Sequence, residues 1–492
     1  MEDSYGYWIC NLETVLVLLL LHLKGIFINK RSKGDRWLQY LTMITTKTYK
    51  GKFKTPDSDE WFNGTLIYDH ERGSELEIFG SFNPFLFDRS TQPIIIGHTS
   101  EGKVTLIDNW YKKTKTTRDN VVIGTYQPNI ILEGHNFKNI DEISFDKVIF
   151  QVFNLFEWIG KTGQKTDFKY YNSDEYSISY KAINDINFSL NNEIDGSITF
   201  DGPVSLGGKA NKMELHEEAY VTLKYQKSKK LELIIKDIIT FIDAITIFTN
   251  EQSYPTKITL KDSSLKKEKS KIEQQKLIHC NYQNSFYNSQ HKTRNVGEFI
   301  VDFDDVESDF PALISKWFDL YETLDSVLLL FLKHFKDKYR FSSDKFMDTI
   351  RAVENFHRIN FNNERIPQER FEELVNRILN DVNLDLKDSE WLAGRLQGNE
   401  PTLKNRLMEL IKESDSTTIK NRVGKFKKFC WAVTSSRNYY THYDQKLEGT
   451  AKKGSELFEL TRTLRAILTL YILKEIGINY KDFSNNLRYH FG

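Results

Sequence analysis

Between residues 43 and about 225 the apolar positions come in short bursts. Thr65-Leu66-Ile67-Tyr68, Ile94-Ile95-Ile96, Val104-Thr105-Leu106-Ile107 and Tyr176-Ser177-Ile178-Ser179-Tyr180 are rich in the β-branched and aromatic side chains that pack on a pleated surface. Asn63-Gly64, Glu101-Gly102, Asp195-Gly196 and Asp201-Gly202-Pro203 punctuate them with turn chemistry. Short strands at this spacing predict an antiparallel sandwich or barrel. Residues 231–248 break the pattern: apolar positions there recur at helical spacing and predict one helix packed on the sheet, with 256–260 as a returning strand. The lysine- and glutamate-rich stretch 266–276 reads as a solvated helix or linker face.

From Pro311 onward the period is helical, and Pro311 itself suits a first turn. A single long helix is expected over 312–335, apolar all round at 327–332 and therefore central and buried. Further helices are expected at 343–360, 367–382, 388–396, 402–413, 419–445 and 455–476. Asp388 and Thr402 are the expected N-caps, and Gly477 is a C-terminal stop. The expected fold class is α+β multidomain: a β-rich antiparallel domain at 43–300, then an all-α bundle at 311–480.

The amino-terminal residues 1–42 fit neither half. Their apolar run, 15–21, is short of the roughly 20 clean residues a membrane helix needs. It is flanked by Asn11, Glu13, His22 and Lys24. Glu2 and Asp3 stand where a signal peptide carries basic residues. No membrane association is expected. The segment is read as an extension outside the folded protein, upstream of a start at Met43.

Composition narrows the chemistry. Lys+Arg equals Asp+Glu at 68 each in 492 residues, so nucleic acid could be held only by a local patch, not by overall charge. Cys10, Cys280 and Cys430 are far apart and form no CxxC, which argues against a disulfide framework and for a reducing cytoplasm. The eleven histidines contain no HExxH or similar ligand pair, so no metal and no cofactor is expected.

One helix carries a candidate site. Within Ser435-Ser436-Arg437-Asn438-Tyr439-Tyr440-Thr441-His442-Tyr443-Asp444, Arg437 and His442 lie about 140° apart on a helical wheel, with Asn438 and Thr441 between them and Asp444 just outside. Tyr439, Tyr440 and Tyr443 fall on the opposite arc. Arg351 and His357 have a similar spacing, but Ala352 follows the arginine, so the polar neighbour is missing. Glu354 and His357 remain candidates for a supporting shell if their helix packs beside the motif. Lys427, Lys428 and Lys446 are candidate RNA contacts.

This motif resembles the R-x4-6-H signature of HEPN ribonucleases, in which Asn, Asp or His typically follows the arginine. The strand-rich half opening with Lys47-Thr48-Tyr49-Lys50-Gly51-Lys52-Phe53, followed by the bundle, is similar to ApeA-type anti-phage HEPN nucleases over 43–480. The resemblance implies metal-independent endoribonuclease activity with Arg437, Asn438 and His442 as catalytic residues. It also implies a homodimer that brings two motifs together, and an N-terminal sensing domain answering a phage-derived trigger. Cellular RNA, with tRNA a candidate, would be the substrate. The chemistry fits the side chains: RNA supplies its own 2′-hydroxyl nucleophile, histidine moves protons near neutral pH, and arginine holds phosphate oxygens. Cleavage by this route leaves 2′,3′-cyclic phosphate and 5′-hydroxyl ends. The alternative is a non-catalytic HEPN binding or assembly module fused to a ligand-binding β domain.

Overall fold

The computed structural model describes residues 46–69, 72–83, 90–167, 177–202, 216–266, 275–282, 297–336, 343–382, 384–479 and 484–491. Residues 1–42 and most of the 266–276 stretch lie outside them.

Fourteen strands are found among these residues: β1 Lys47–Lys54, β2 Phe62–Asp69, β3 Gly73–Phe79, β4 Gln92–Thr99, β5 Gly102–Thr116, β6 Val122–Glu133, β7 Ser144–Val152, β8 Gln164–Asp167, β9 Ser177–Tyr180, β10 Ile186–Asn191, β11 Ile194–Asp201, β12 Glu218–Lys230, β13 Pro255–Lys266 and β14 Gln275–Tyr282. Twelve of them form one sheet in the order β10-β11-β12-β7-β13-β14-β6-β3-β2-β1-β4-β5, and β5 returns to pair with β6. That return closes β1–β6 into a six-stranded barrel, and the other six strands extend from β6 as an open wing.

The branch point is Pro128. Before it, β6 pairs with β3 through Ile123 to Tyr126; after it, Ile130 to Glu133 pair with β14, while β5 runs alongside throughout. Proline has no N–H to give a ladder, so it suits the one place where the strand changes partner. The Ser74 hydroxyl donates to the Pro128 carbonyl there.

Helices follow as α1 Leu155–Ile159, α2 Leu231–Thr249, α3 Phe303–Val306, α4 Phe310–Thr323, α5 Asp325–Lys336, α6 Ser343–Asn360, α7 Gln368–Asp381, α8 Leu386–Arg395, α9 Leu403–Glu413, α10 Thr417–Val423, α11 Phe426–His442, α12 Gly454–Glu475 and α13 Ser484–Phe491. The expected helix at 231–248 and strand at 256–260 are therefore present as α2 and within β13. The barrel has its own core around Phe53, Leu66, Leu76 and Leu106. A second, continuous core runs from the wing through α2 into the bundle.

Helix α2 is buried nearly all round and carries the junction. Phe241 meets Phe150 of β7 edge-on at 5.8 Å. On its bundle side the Thr240 carbonyl accepts from the Trp317 indole at 2.7 Å, and Asp243 accepts from the Tyr321 hydroxyl at 2.8 Å. Burial pushes the Asp243 carboxyl above its usual range, while Lys336 at 3.8 Å and Tyr321 pull the other way.

Four helical expectations need correction. The helix expected over 312–335 is two, α4 and α5, broken at Leu324. That fully buried residue gives its N–H to Leu320 at 2.8 Å and accepts from Val327 and Leu328 at 2.9 Å each, so it closes one helix and opens the next. Nothing in leucine's propensity marks such a break; the anchoring of Trp317 and Tyr321 on α2 accounts for it. Nor is 327–332 central: Leu329 is 69% exposed. The central helix is α12, buried at Leu464 and from Ala466 through Leu473. The helix expected at 419–445 divides into α10 and α11 at Gly424, whose φ of 63° is a left-handed turn that glycine adopts without strain. Thr402 caps α9 as expected, but α8 is capped by Asp385, which accepts from Asp388.

His334 on α5 is largely buried, and its Nδ1 has no hydrogen-bond partner among the described residues. Burial, with the charges of Arg465 and Lys345, holds its pKa down to about 2. The unfolded chain takes up this proton near pH 6.5 and the folded chain does not, so stability is full above about pH 6.5 and declines below it. At 1.36 kcal/mol per unit, the loss from pH 6.5 to 5 is at most about 2 kcal/mol. His334→Leu is expected to lose less stability than the parent between pH 7 and 5, read as urea midpoints. Equal losses would refute this assignment.

Candidate active site

Helix α11 is held by a stripe at helical spacing. Cys430, Val433 and Ser436 are buried, and the Tyr440 ring meets Phe346 of α6 edge-on at 6.1 Å. This stripe fixes the orientation of the rest: Arg437 and Asn438 are half-buried, and Thr441 and His442 are exposed. On the tyrosine arc, Tyr440 packs on the core, and Tyr439 meets Tyr440 and Tyr443 edge-on. Tyr443 lies beyond the helix with a φ of 49° and is 65% exposed. Its N–H closes the helix on the Tyr439 carbonyl at 2.6 Å, so His442 is the last helical residue.

Arg437 is positioned from two sides. One terminal nitrogen donates to the Asn438 side-chain oxygen at 3.3 Å, and the other lies 3.9 Å from the Glu354 carboxylate on α6. A guanidinium has five donors, so these contacts orient it while leaving others for a ligand. Asn438 therefore partners Arg437, and no bond to His442 is found among the described residues. The Thr441 hydroxyl returns to the Arg437 carbonyl at 2.8 Å, and Asp444 accepts from the Lys446 N–H at 2.9 Å to cap the following turn. His442 makes no hydrogen bond or ion pair to any described residue.

His357 does not join this group. It is fully buried one turn along α6 from Glu354 and faces α9 instead. Its Nδ1 accepts from the buried Arg406 at 2.8 Å, and its Nε2 meets Glu409 at 2.9 Å. Burial depresses its pKa and Arg406 adds to this, against the pull of Glu409, so the ring is neutral. Arg406 also reaches Asn363, Glu400 and the Pro401 carbonyl. This network ties α6 to α9. It thereby holds the helix that presents Glu354 to Arg437.

Lys427 and Lys428 lie in the first turn of α11, about 14 Å or more along the helix from Arg437. Of the three candidate lysines, only the exposed Lys446 lies close to the motif along the chain. Two others are brought in by the return of the chain. The Ser436 hydroxyl accepts from the Lys452 N–H at 2.9 Å, and the Tyr440 hydroxyl donates to the Lys452 carbonyl at 3.1 Å. With its backbone held at both ends, this segment sets the Lys453 ammonium 5.4 Å from the Tyr439 ring centre, also paired with Glu448 at 2.8 Å. No pattern in the sequence joins residues 436 and 440 to 452; the loop's path does.

Among the described residues no group of histidine, cysteine and carboxylate side chains could hold a metal ion, and no helix is long and apolar enough to cross a membrane. The site offers a fixed cation, an amide and an accessible imidazole on one helical turn and a half.

Known families share this architecture. The family described as ApeA N-terminal domain 1 matches residues 48–317, and the one described as Apea-like HEPN matches 347–482, which contains the motif helix. Neither the curated proteins nor the solved structures offer a match. The first of these matches alone spans more than half of the chain, so the chain belongs to the ApeA family of defence-related HEPN proteins.

Proposed function

We propose that this chain is a metal-independent endoribonuclease in which Arg437, Asn438 and His442 carry catalysis. The observation behind this reading is the contrast on one helix: Arg437 is oriented by Glu354 and Asn438, while His442 stands at the helix end and bonds to no described residue. A histidine in that position can take the 2′-hydroxyl proton or return one to the leaving 5′-oxygen. Arg437 can hold the phosphate as negative charge builds on it. The 2′-oxygen bonds to phosphorus as the bond to the 5′-oxygen breaks, giving a 2′,3′-cyclic phosphate and a 5′-hydroxyl. Because side chains supply both the charge and the proton transfer, cleavage is expected at full rate in EDTA. Activity lost in EDTA and restored by Mg²⁺ or Mn²⁺ would refute the mechanism.

One histidine is not readily general base and general acid in the same event. A two-fold dimer supplies both, since an isologous interface puts the same helix on each side. Mixing Arg437→Ala with His442→Ala chains is expected to give cleavage above either parent. A monomer by light scattering that cleaves at full rate would overturn the shared site.

In this reading the barrel and wing restrain the nuclease until a phage-derived signal arrives, and the substrate is cellular RNA, with tRNA the leading candidate. The setting is the cytoplasm. Cys280 and Cys430 are buried free thiols, pushed by burial up to about 12 and about 11, so neither is a reactive nucleophile.

A further inference from the structure

The wing's two faces differ sharply. Val148, Phe150, Val221, Leu223, Ile258 and Leu260 are buried on one face, where α2 packs. On the other face, the register places Lys224 of β12 directly opposite Lys147 of β7, and Lys147 directly opposite Lys261 of β13. Three lysines thus stand in one row across three neighbouring strands, about 10 Å from end to end. Like charges directly opposite one another destabilise a sheet. None of the three makes an ion pair with a described residue. The row ends on Asp195 of β11, whose carboxylate is held by Ser189 and Gln226 at 3.4 and 3.5 Å, and on Leu277 of β14.

The same face continues the pattern one step further. Lys257, on the same face of β13 as Lys261, stands 5.6 Å from the ring centre of half-buried Tyr220 on β12. Lys147 is half-buried, and burial foremost, then Lys261 and Lys224, lowers its pKa. The fold keeps three mutually repelling ammonium groups in one row, with Asp195 opposite Lys224 and Asp146 beside Lys147 as the nearby carboxylates, and sets a fourth beside an aromatic ring whose hydroxyl donates to Glu218.

We infer that this face binds the phosphate backbone of a single-stranded nucleic acid. Each lysine meets one phosphate as a point charge, and Tyr220 offers a surface on which a base stacks. A row about 10 Å long suits consecutive phosphates of an extended strand better than one small anion. The site lies in the β-rich half and does not depend on the nuclease reading.

The test is fluorescence anisotropy with a labelled twelve-residue oligothymidylate and the full chain. This DNA has no 2′-hydroxyl, so binding is read whether or not the protein cleaves RNA. The triple variant Lys147→Gln, Lys224→Gln, Lys261→Gln is expected to bind at least tenfold more weakly. The slope of log affinity against log salt should fall by about 2, at about 0.7 for each phosphate no longer neutralised. Lys113→Gln, at an exposed position of β5, should bind as the parent does. Should the triple variant fail to fold, Lys224→Gln alone, at an exposed position, should cost about threefold and about 0.7 of slope. Unchanged binding by the variants, or no binding by the parent, overturns the inference. Equal displacement of the probe by pyrophosphate at matched ionic strength points to a small anion, and by polyglutamate to an acidic protein; either result overturns it as well.

Discussion

Replacing His442 by alanine is expected to lower RNA cleavage about a thousandfold while leaving the fold unchanged. The ring is exposed at the end of α11 and bonds to no described side chain, so its loss removes nothing that holds the bundle. A positioned acid or base contributes about 10²–10⁴ to the rate, which sets the scale. Arg437→Ala should cost about 10²–10³, the range for losing one charge-stabilising donor. It should also raise KM if the guanidinium holds phosphate before the reaction. The readout is single-turnover cleavage of a structured RNA, with circular dichroism and melting temperature as fold controls. Parent-level cleavage by either variant, properly folded, would remove these residues from catalysis and leave an assembly or binding role for the bundle.

Arg406→Met is expected to destabilise the chain by about 3–5 kcal/mol, the usual cost of breaking a buried charged network from one side. Arg406 is 1% exposed and satisfies His357, Asn363, Glu400 and the Pro401 carbonyl together. Its removal strands those acceptors, and methionine supplies volume but no donors. Arg358, which reaches the same Glu400 at 2.7 Å from a half-exposed position, is the comparison. Arg358→Ala should cost no more than about 1 kcal/mol, as surface pairs do. Urea midpoints followed by tryptophan fluorescence separate the two; similar shifts would show that the network is not a structural lock. The same network fixes α6 against α9, so milder substitutions such as Arg406→Lys should also weaken cleavage by loosening Glu354 behind Arg437.

Local pattern was enough for much of this protein because local pattern has local causes. The β-branched bursts became strands, the 3.6-residue period became helices, and Pro311, Thr402 and Gly477 took the terminal roles that their backbone chemistry favours. The same logic put Arg437, Asn438, Thr441 and His442 on one helical arc, since angular position depends only on spacing. What needed the folded chain was everything set by contacts between distant residues. Leucine at 324 ends a helix because its neighbours Trp317 and Tyr321 are anchored on α2. Glu354 and His357, three residues apart, part company because α11 packs on one side of α6 and α9 on the other. Lys452 and Lys453 enter the motif's surroundings, and Lys427 and Lys428 do not, because a loop turns back and a helix has length. The lysine row exists only in the register of β12, β7 and β13, where residues 147, 224 and 261 become neighbours. Sequence spacing determines which side chains share a face of one element; packing and strand register decide which faces meet.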